Sequence, residues 1–250
     1  MRTSSKLYAA GWLRVLLRLA LLLFWLTISL LAYAIVNLFG RRNPVPPYFL
    51  AGAAWLAGVR VRVEGTPLRN DALLLANHTS WLDILALAGP SGTAFVAKAE
   101  LRQVPLVGWL ASLNQTVFVK RDARLAVAGQ VEAVRQALQR GRPVTLFPEG
   151  TTGDGKRLLP FKTAMLHVLD PPPPAIRVQP VVLDYGTAAE EIAWTGEESG
   201  LRNALRVLAR AGQIPLTMHF LRPLLPDASC GRKAIASEVR AQMEQALSTK

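Results

Sequence analysis

The sequence predicts an α/β layer sandwich with a mostly parallel central sheet, preceded by an N-terminal membrane-anchoring helical segment. Three observations lead there. Residues 19–39 (LALLLFWLTISLLAYAIVNLF) carry no charge. From Val59 onward, short apolar runs alternate with amphipathic stretches, the pattern of strands joined by crossover helices. Polar loops rich in unusual residues follow several of those runs, at the strand ends where sites on such sheets form.

The anchor comes first. About 20 apolar residues let a helix cross the hydrocarbon core, and 19–39 meets that length. It is too long for the apolar region of a signal peptide, and no small-x-small cleavage site follows it before Arg41. Eight basic residues, Arg2, Lys6, Arg14, Arg18, Arg41, Arg42, Arg60 and Arg62, precede the first acid, Glu64. They flank the segment on both sides, so the positive-inside rule gives no orientation. They are expected to sit at anionic headgroups. A second apolar stretch, residues 48–59, follows Pro44, Pro46 and Pro47, which disfavour a continuous helix there. Two apolar segments around a Pro-rich turn allow a hairpin in one leaflet as an alternative to a full span. Residues 1–58 therefore read as the anchor and 59–250 as one globular domain.

The formal charge of the 250-residue chain is +12, from 29 Lys+Arg against 17 Asp+Glu. The first 63 positions hold +8 of it and the remaining 187 only +4. That distribution, without an aromatic–basic recognition motif, argues against nucleic acid as a partner. With 51% apolar residues and a mean hydropathy of +0.24, disorder is excluded. Cys230 is the single cysteine, so an internal disulfide framework is excluded too.

In the globular part VRVRVE (59–64) alternates at period two and predicts a half-exposed strand. ALLLA (72–76), TAFVAK (93–98), TVFVK (116–120), PVTLF (143–147), VQPVVLD (178–184) and PLTMHFL (215–221) predict mostly buried strands. Helices are expected at 123–140, capped by Asp122 with Leu125, Val127, Val131, Val134 and Leu138 facing inward, and at 201–211 and 231–247. A further helix is expected to begin at Phe161-Lys162. Four prolines, 171–174, separate one unit from the next.

Three loops carry the chemistry. The first is NHTSWLD (77–83), directly after ALLLA. A carboxylate five residues beyond a histidine can accept one ring N–H, fix the tautomer and leave the other nitrogen as a base. The second, FPEGTTGDGKR (147–157), follows PVTLF and leads through LLP to Phe161 and Lys162. Its Gly150, Gly153 and Gly155 permit positive φ, and Lys156, Arg157 and Lys162 add positive charge toward an anion. It lacks the G-x-x-x-x-G-K-[ST] order of a P-loop. The third is VFVKRD (117–122), a strand ending in a basic pair. No G-x-S-x-G elbow occurs, so there is no case for a serine acyl-enzyme. His167 and His219 lie in an expected helix and strand and read as structural. No metal or other cofactor is expected.

Taken together and in this order, NHTSWLD, VAKAELRQVPLVGWLA, VFVKR, FPEGTT, LLPFKTA and QPVVLDY resemble the glycerolipid acyltransferase family typified by bacterial 1-acylglycerol-3-phosphate acyltransferase. The resemblance covers roughly residues 60–185. It implies an acyltransferase-type layer sandwich with His78 as general base and Asp83 as its orienting partner. It implies substrate-binding roles for Lys98, Arg121, Glu149, Gly150, Thr151 and Lys162. It further implies an enzyme of phospholipid biosynthesis at the bacterial inner membrane, its catalytic domain facing the cytoplasm. The acyl donor would be an acyl-carrier protein or coenzyme A thioester, and the acceptor lysophosphatidate. Two positions depart from the family pattern. Gln115 replaces a glycine three residues before Phe118, and Thr152 replaces the arginine that closes the Glu-Gly-Thr block. Loss of that arginine removes a bidentate phosphate ligand and raises a second acceptor, lyso-ornithine lipid or another lysolipid. A non-catalytic basic membrane adaptor is the remaining alternative, and it gives no reason for His78, Asp83 and the Glu149 loop to coexist.

Overall fold

A computed structural model describes residues 9–40, 43–119, 127–226 and 231–248. Helix α1 runs over Ala9–Leu38 and is about 45 Å long at the usual rise per residue. It is long and apolar enough to cross a membrane. The helix begins ten residues before the uncharged segment and so contains Arg14 and Arg18. Helix α2 (Val45–Leu56) starts at the Pro-rich break. Pro46 and Pro47 do not prevent it, because the first turn needs no intrahelical N–H donors.

Seven strands follow: β1 (Val59–Glu64), β2 (Ala72–Ala76), β3 (Ala94–Lys98), β4 (Val117–Val119), β5 (Val144–Leu146), β6 (Arg177–Asp184) and β7 (Ile214–Phe220). Each lies within a residue or two of its expected run. They form one sheet in the order β1-β7-β6-β2-β5-β3-β4. Every pairing is parallel except β6 with β7, which is antiparallel. The C-terminal ends of β2, β3, β4, β5 and β6 therefore share one edge, which brings the loops after them together.

The strand residues alternate between two cores. Leu74, Val181, Leu183, Leu216 and Met218 face one core, toward α3 (Leu82–Ser91) and α7 (Gly200–Ala209). Leu73, Leu75, Val144, Val178 and Val182 face the other, toward α5 (Val127–Gln139) and α8 (Arg232–Ser248). Val134 and Leu138 of α5 point inward as their spacing requires. Leu125 and the cap Asp122 lie outside the described residues. Periodicity gave no sign of α3 or of α4 (Pro105–Leu113): LDILALAGPS and PLVGWLASL are apolar nearly all round, so neither shows a stripe. The helix expected after Lys162 is a 3-10 segment, Thr163–Leu169. Short α6 (Ala189–Ile192) precedes α7.

Helix α1 is not a separate body tethered by a linker. Val15 of α1 lies in the first core. Arg14 donates to the carbonyl of Ala209 at 3.1 Å, and Arg18 to that of Leu208 at 2.7 Å. These carbonyls end α7, where the helix leaves acceptors unsatisfied and its dipole favours cations. Arg14 and Arg18, expected at lipid headgroups, thus bind the protein instead.

Candidate active site

The loop after β2 builds a histidine–carboxylate pair. Asn77 first fastens it to β6, accepting from the Leu183 N–H at 2.7 Å and donating to the Leu183 carbonyl at 3.0 Å. The His78 Nδ1 lies 2.8 Å from Asp83 Oδ2. That oxygen also accepts the Thr79 N–H at 2.6 Å and the Ser80 N–H at 2.9 Å. Asp83 belongs to the first turn of α3, where backbone N–H groups and the helix dipole favour a negative charge. Its other oxygen accepts the Tyr185 hydroxyl at 2.7 Å. Asp83 is fully buried, and these four partners surround its carboxylate. Burial, with the Asp83 carboxylate beside it, pushes the Tyr185 phenol well above its ordinary range, so Tyr185 remains a donor at any working pH. An ionised Asp83 makes Nδ1 the donor of the imidazole and leaves Nε2 as the basic nitrogen.

The loop after β5 holds this histidine from two sides. The Phe147 ring stacks on the imidazole at 4.1 Å and 17°. The Gly153 N–H donates to the His78 carbonyl at 2.7 Å. The buried Glu149 accepts the His78 N–H through Oε1 at 2.9 Å and the Leu159 N–H through Oε2 at 2.8 Å. Burial raises its carboxyl pKa, and those two backbone bonds partly offset the rise. Glu149 therefore ties the two loops together with both oxygens engaged. Gly150 has φ +70, and Gly155 has φ +74 with a hypothetical Cβ 3.0 Å from side-chain atoms of Thr79 and Ala189. A side chain at Gly155 would meet both a strained backbone and a filled space.

Thr152, where the resemblance implied an arginine, donates its hydroxyl to the Trp194 carbonyl. The Trp194 N–H in turn donates to the Thr79 carbonyl at 3.0 Å. Lys156 pairs with Glu190 and Arg157 with Asp154 at the rim, so both of these nearby cations have carboxylate partners.

Beside Phe147 lies a cavity of about 650 Å³. Val96, Val119, Val131, Leu146 and Phe147 make its apolar wall, and Lys98, Glu100, Gly150, Thr151 and Lys162 supply the polar part. The structure thus places His78 and Asp83 in contact, Glu149 behind them, and Lys98, Gly150, Thr151 and Lys162 in one cavity wall. Arg121 lies outside the described residues. Sequence reasoning missed Tyr185, Phe147 and Trp194 as parts of the site. Tyr185 stands immediately after β6, and no spacing rule links it to Asp83.

An acyltransferase family model matches residues 59–184. The chain is 35% identical over 231 residues to a lyso-ornithine lipid O-acyltransferase of Brucella abortus (strain 2308), an alignment covering 83% of this chain and 85% of that protein. A 1-acyl-sn-glycerol-3-phosphate acyltransferase of Neisseria gonorrhoeae is 42% identical over 98 residues, 39% of this chain and 38% of that one. Among solved structures, the 1-acyl-sn-glycerophosphate (LPA) acyltransferase PlsC of Thermotoga maritima superposes with a TM-score of 0.64 at 23% identity, covering 94% of this chain and 97% of that one. With the matched segment running from β1 to the last residue of β6, and a relative of 35% identity aligned over most of both chains, the chain belongs to the acyltransferase family.

Proposed function

We propose that this acyltransferase moves a fatty acyl group from a thioester to the free hydroxyl of a lyso-ornithine lipid. The observation that carries the acceptor is the extent of similarity. The Brucella lyso-ornithine lipid enzyme aligns over most of both chains, whereas the Neisseria lysophosphatidate-type enzyme aligns over 98 residues. The first expectation, lysophosphatidate, therefore gives way to the alternative. Thr152 fits the same reading, because an amino-acid headgroup carries no phosphate for a bidentate arginine to hold.

In this mechanism His78 Nε2 removes the acceptor hydroxyl proton as the oxygen attacks the thioester carbonyl. Asp83 stabilises the imidazolium so formed. When the tetrahedral adduct collapses, the thiol leaves and takes that proton. Lys98, Lys162 and Arg121 attract the anionic groups of acyl-carrier protein or coenzyme A and of the headgroup, and Gly150 and Thr151 shape the cavity wall. Residues 1–58 act as the anchor and 59–250 as the catalytic unit, set at the cytoplasmic face of the inner membrane.

The test is a panel of lysolipid acceptors with both thioester donors. Lyso-ornithine lipid is expected to be preferred, and a preference for lysophosphatidate would reverse the assignment. His78→Ala is expected to lower transfer by about 10²–10⁴-fold at unchanged membrane content. Near-normal turnover in that variant would refute the base.

A further inference from the structure

Between β3 and β4, both of which line the cavity, the chain makes a surface excursion of which Glu100 alone reaches the cavity wall. It comprises a 3-10 segment, Ala99–Gln103, and helix α4. Residues 101–107 (LRQVPLV) are all exposed. Leu106 is 54% exposed, Val107 49% and Trp109 46%, with Leu101 and Val104 beside them in the chain. No acidic residue occurs from Leu101 to Leu113 and Arg102 stands within this stretch, while Lys98 and Glu100 before it line the cavity. An apolar surface of this kind on a folded domain marks an interaction site.

The other side of α4 shows what it adjoins. Leu110 and Leu113 share a small apolar crevice with Leu26, Leu30 and Tyr33 of α1 and with Val45, Pro46 and Phe49 of α2. The patch is therefore continuous with the two helices of the anchor. In that half of α1, Phe24, Ile28, Leu31, Ile35 and Leu38 are exposed and apolar. Gly108 lets α4 fold tightly back on the preceding turn, since a Cβ there would come within 2.3 Å of the Arg102 carbonyl oxygen.

We propose that residues 101–109 form a second membrane-contact surface. Leu101, Val104, Leu106, Val107 and Trp109 enter the acyl-chain boundary of the same leaflet as α2, with Arg102 at anionic headgroups. An interfacial tryptophan and a flanking cation suit such a depth. Because the patch joins β3 to β4, its insertion sets the mouth of the cavity at the bilayer surface. The acceptor then reaches His78 from the membrane without passing through water. The last step rests on the proposed acyl transfer, whereas insertion itself does not.

The test separates the two. In full-length protein with Cys230→Ser, Val107→Cys carries an environment-sensitive fluorophore, with Ser237→Cys on the exposed face of α8 as the control. Both are reconstituted in phosphatidylglycerol–phosphatidylethanolamine vesicles containing nitroxide-bearing acyl chains. We expect strong quenching and a blue-shifted emission at position 107 and neither at 237. Equal, weak quenching at both sites overturns the proposal, whatever the activity. In a second arm, Leu106→Asp with Val107→Asp is expected to lose at least tenfold in transfer to vesicle-embedded lysolipid and to keep transfer to a short-chain, water-soluble acceptor. Unchanged activity on both acceptors, or equal loss on both, also overturns it. A loss confined to acyl-carrier protein as donor, without quenching at 107, would assign the patch to that protein instead. Quenching at 107 in a chain inactive on every lysolipid would leave the membrane surface standing and refute the proposed reaction.

Discussion

Asp83 receives four hydrogen bonds, and only one of them comes from His78. The other three hold the carboxylate still, so the imidazole has a fixed partner to turn toward. Tyr185 is the contributor from farthest along the chain, and Tyr185→Phe removes its donor while keeping the ring. A hydrogen bond to a charged group contributes about 1.5–3 kcal/mol. With the two backbone N–H bonds still in place, we expect kcat to fall on the order of tenfold with KM nearly unchanged, as measured by steady-state transfer. An unaltered kcat would remove Tyr185 from the positioning set. Glu149 yields a prediction about stability. Its carboxyl pKa is raised by burial, so between its ordinary value and the raised one the folded state holds a proton that the unfolded chain has lost. Its contribution is fully present below the ordinary carboxylate pKa and declines as pH rises through the raised value. In Glu149→Gln that part of the slope should vanish from denaturant-unfolding midpoints taken across mildly acidic to neutral pH. The amide keeps one acceptor where two backbone donors need one each. Overall stability should therefore drop by about 1–3 kcal/mol.

At the scale of elements, the join between α1 and α7 is specific. Arg14 and Arg18 reach carbonyls at the end of α7, and farther up that helix Asn203 accepts the Trp81 indole N–H at 3.1 Å. Trp81 immediately precedes α3, the helix that carries Asp83. Helix α1 thus buttresses the helix against which the His78 loop rests. Arg14→Gln with Arg18→Gln should cost about 1–2 kcal/mol of stability, the range for cations at partly buried helix C-termini, read as a lower melting temperature in detergent. Retention in membranes should not change, because the apolar length of α1 is untouched. If the double variant melted like the parent, the two arginines would be incidental to docking. Helices α3 and α4, which escaped the sequence analysis, also belong to this scale. Both are short and apolar on nearly every side, and an amphipathic stripe is the signal by which a surface helix is found. One is covered by protein, and the other presents an apolar face to the outside.

For the molecule as a whole, the topology explains why three separate loops make one site. Parallel pairing of β4, β3, β5, β2 and β6 places all their C-terminal ends on one edge. NHTSWLD, FPEGTT and Tyr185 follow three of those ends and meet there. The sequence by itself determined the strand segments, because short apolar runs bounded by turn residues have few other solutions. It also determined α1 as a helix long and apolar enough to cross a membrane, and it marked His78 and Asp83 as a candidate pair, which the structure brings to 2.8 Å. Only the tertiary structure decided the rest. Tyr185 lies 102 residues from Asp83 and Glu149 71 from His78, and such separations leave no local trace. Whether Arg14 and Arg18 bind lipid or protein depends on where α7 ends in space. The +12 charge is thus divided by packing: Arg14 and Arg18 fasten α1 to the domain, and Lys98 and Lys162 line the cavity beside the His78–Asp83 pair.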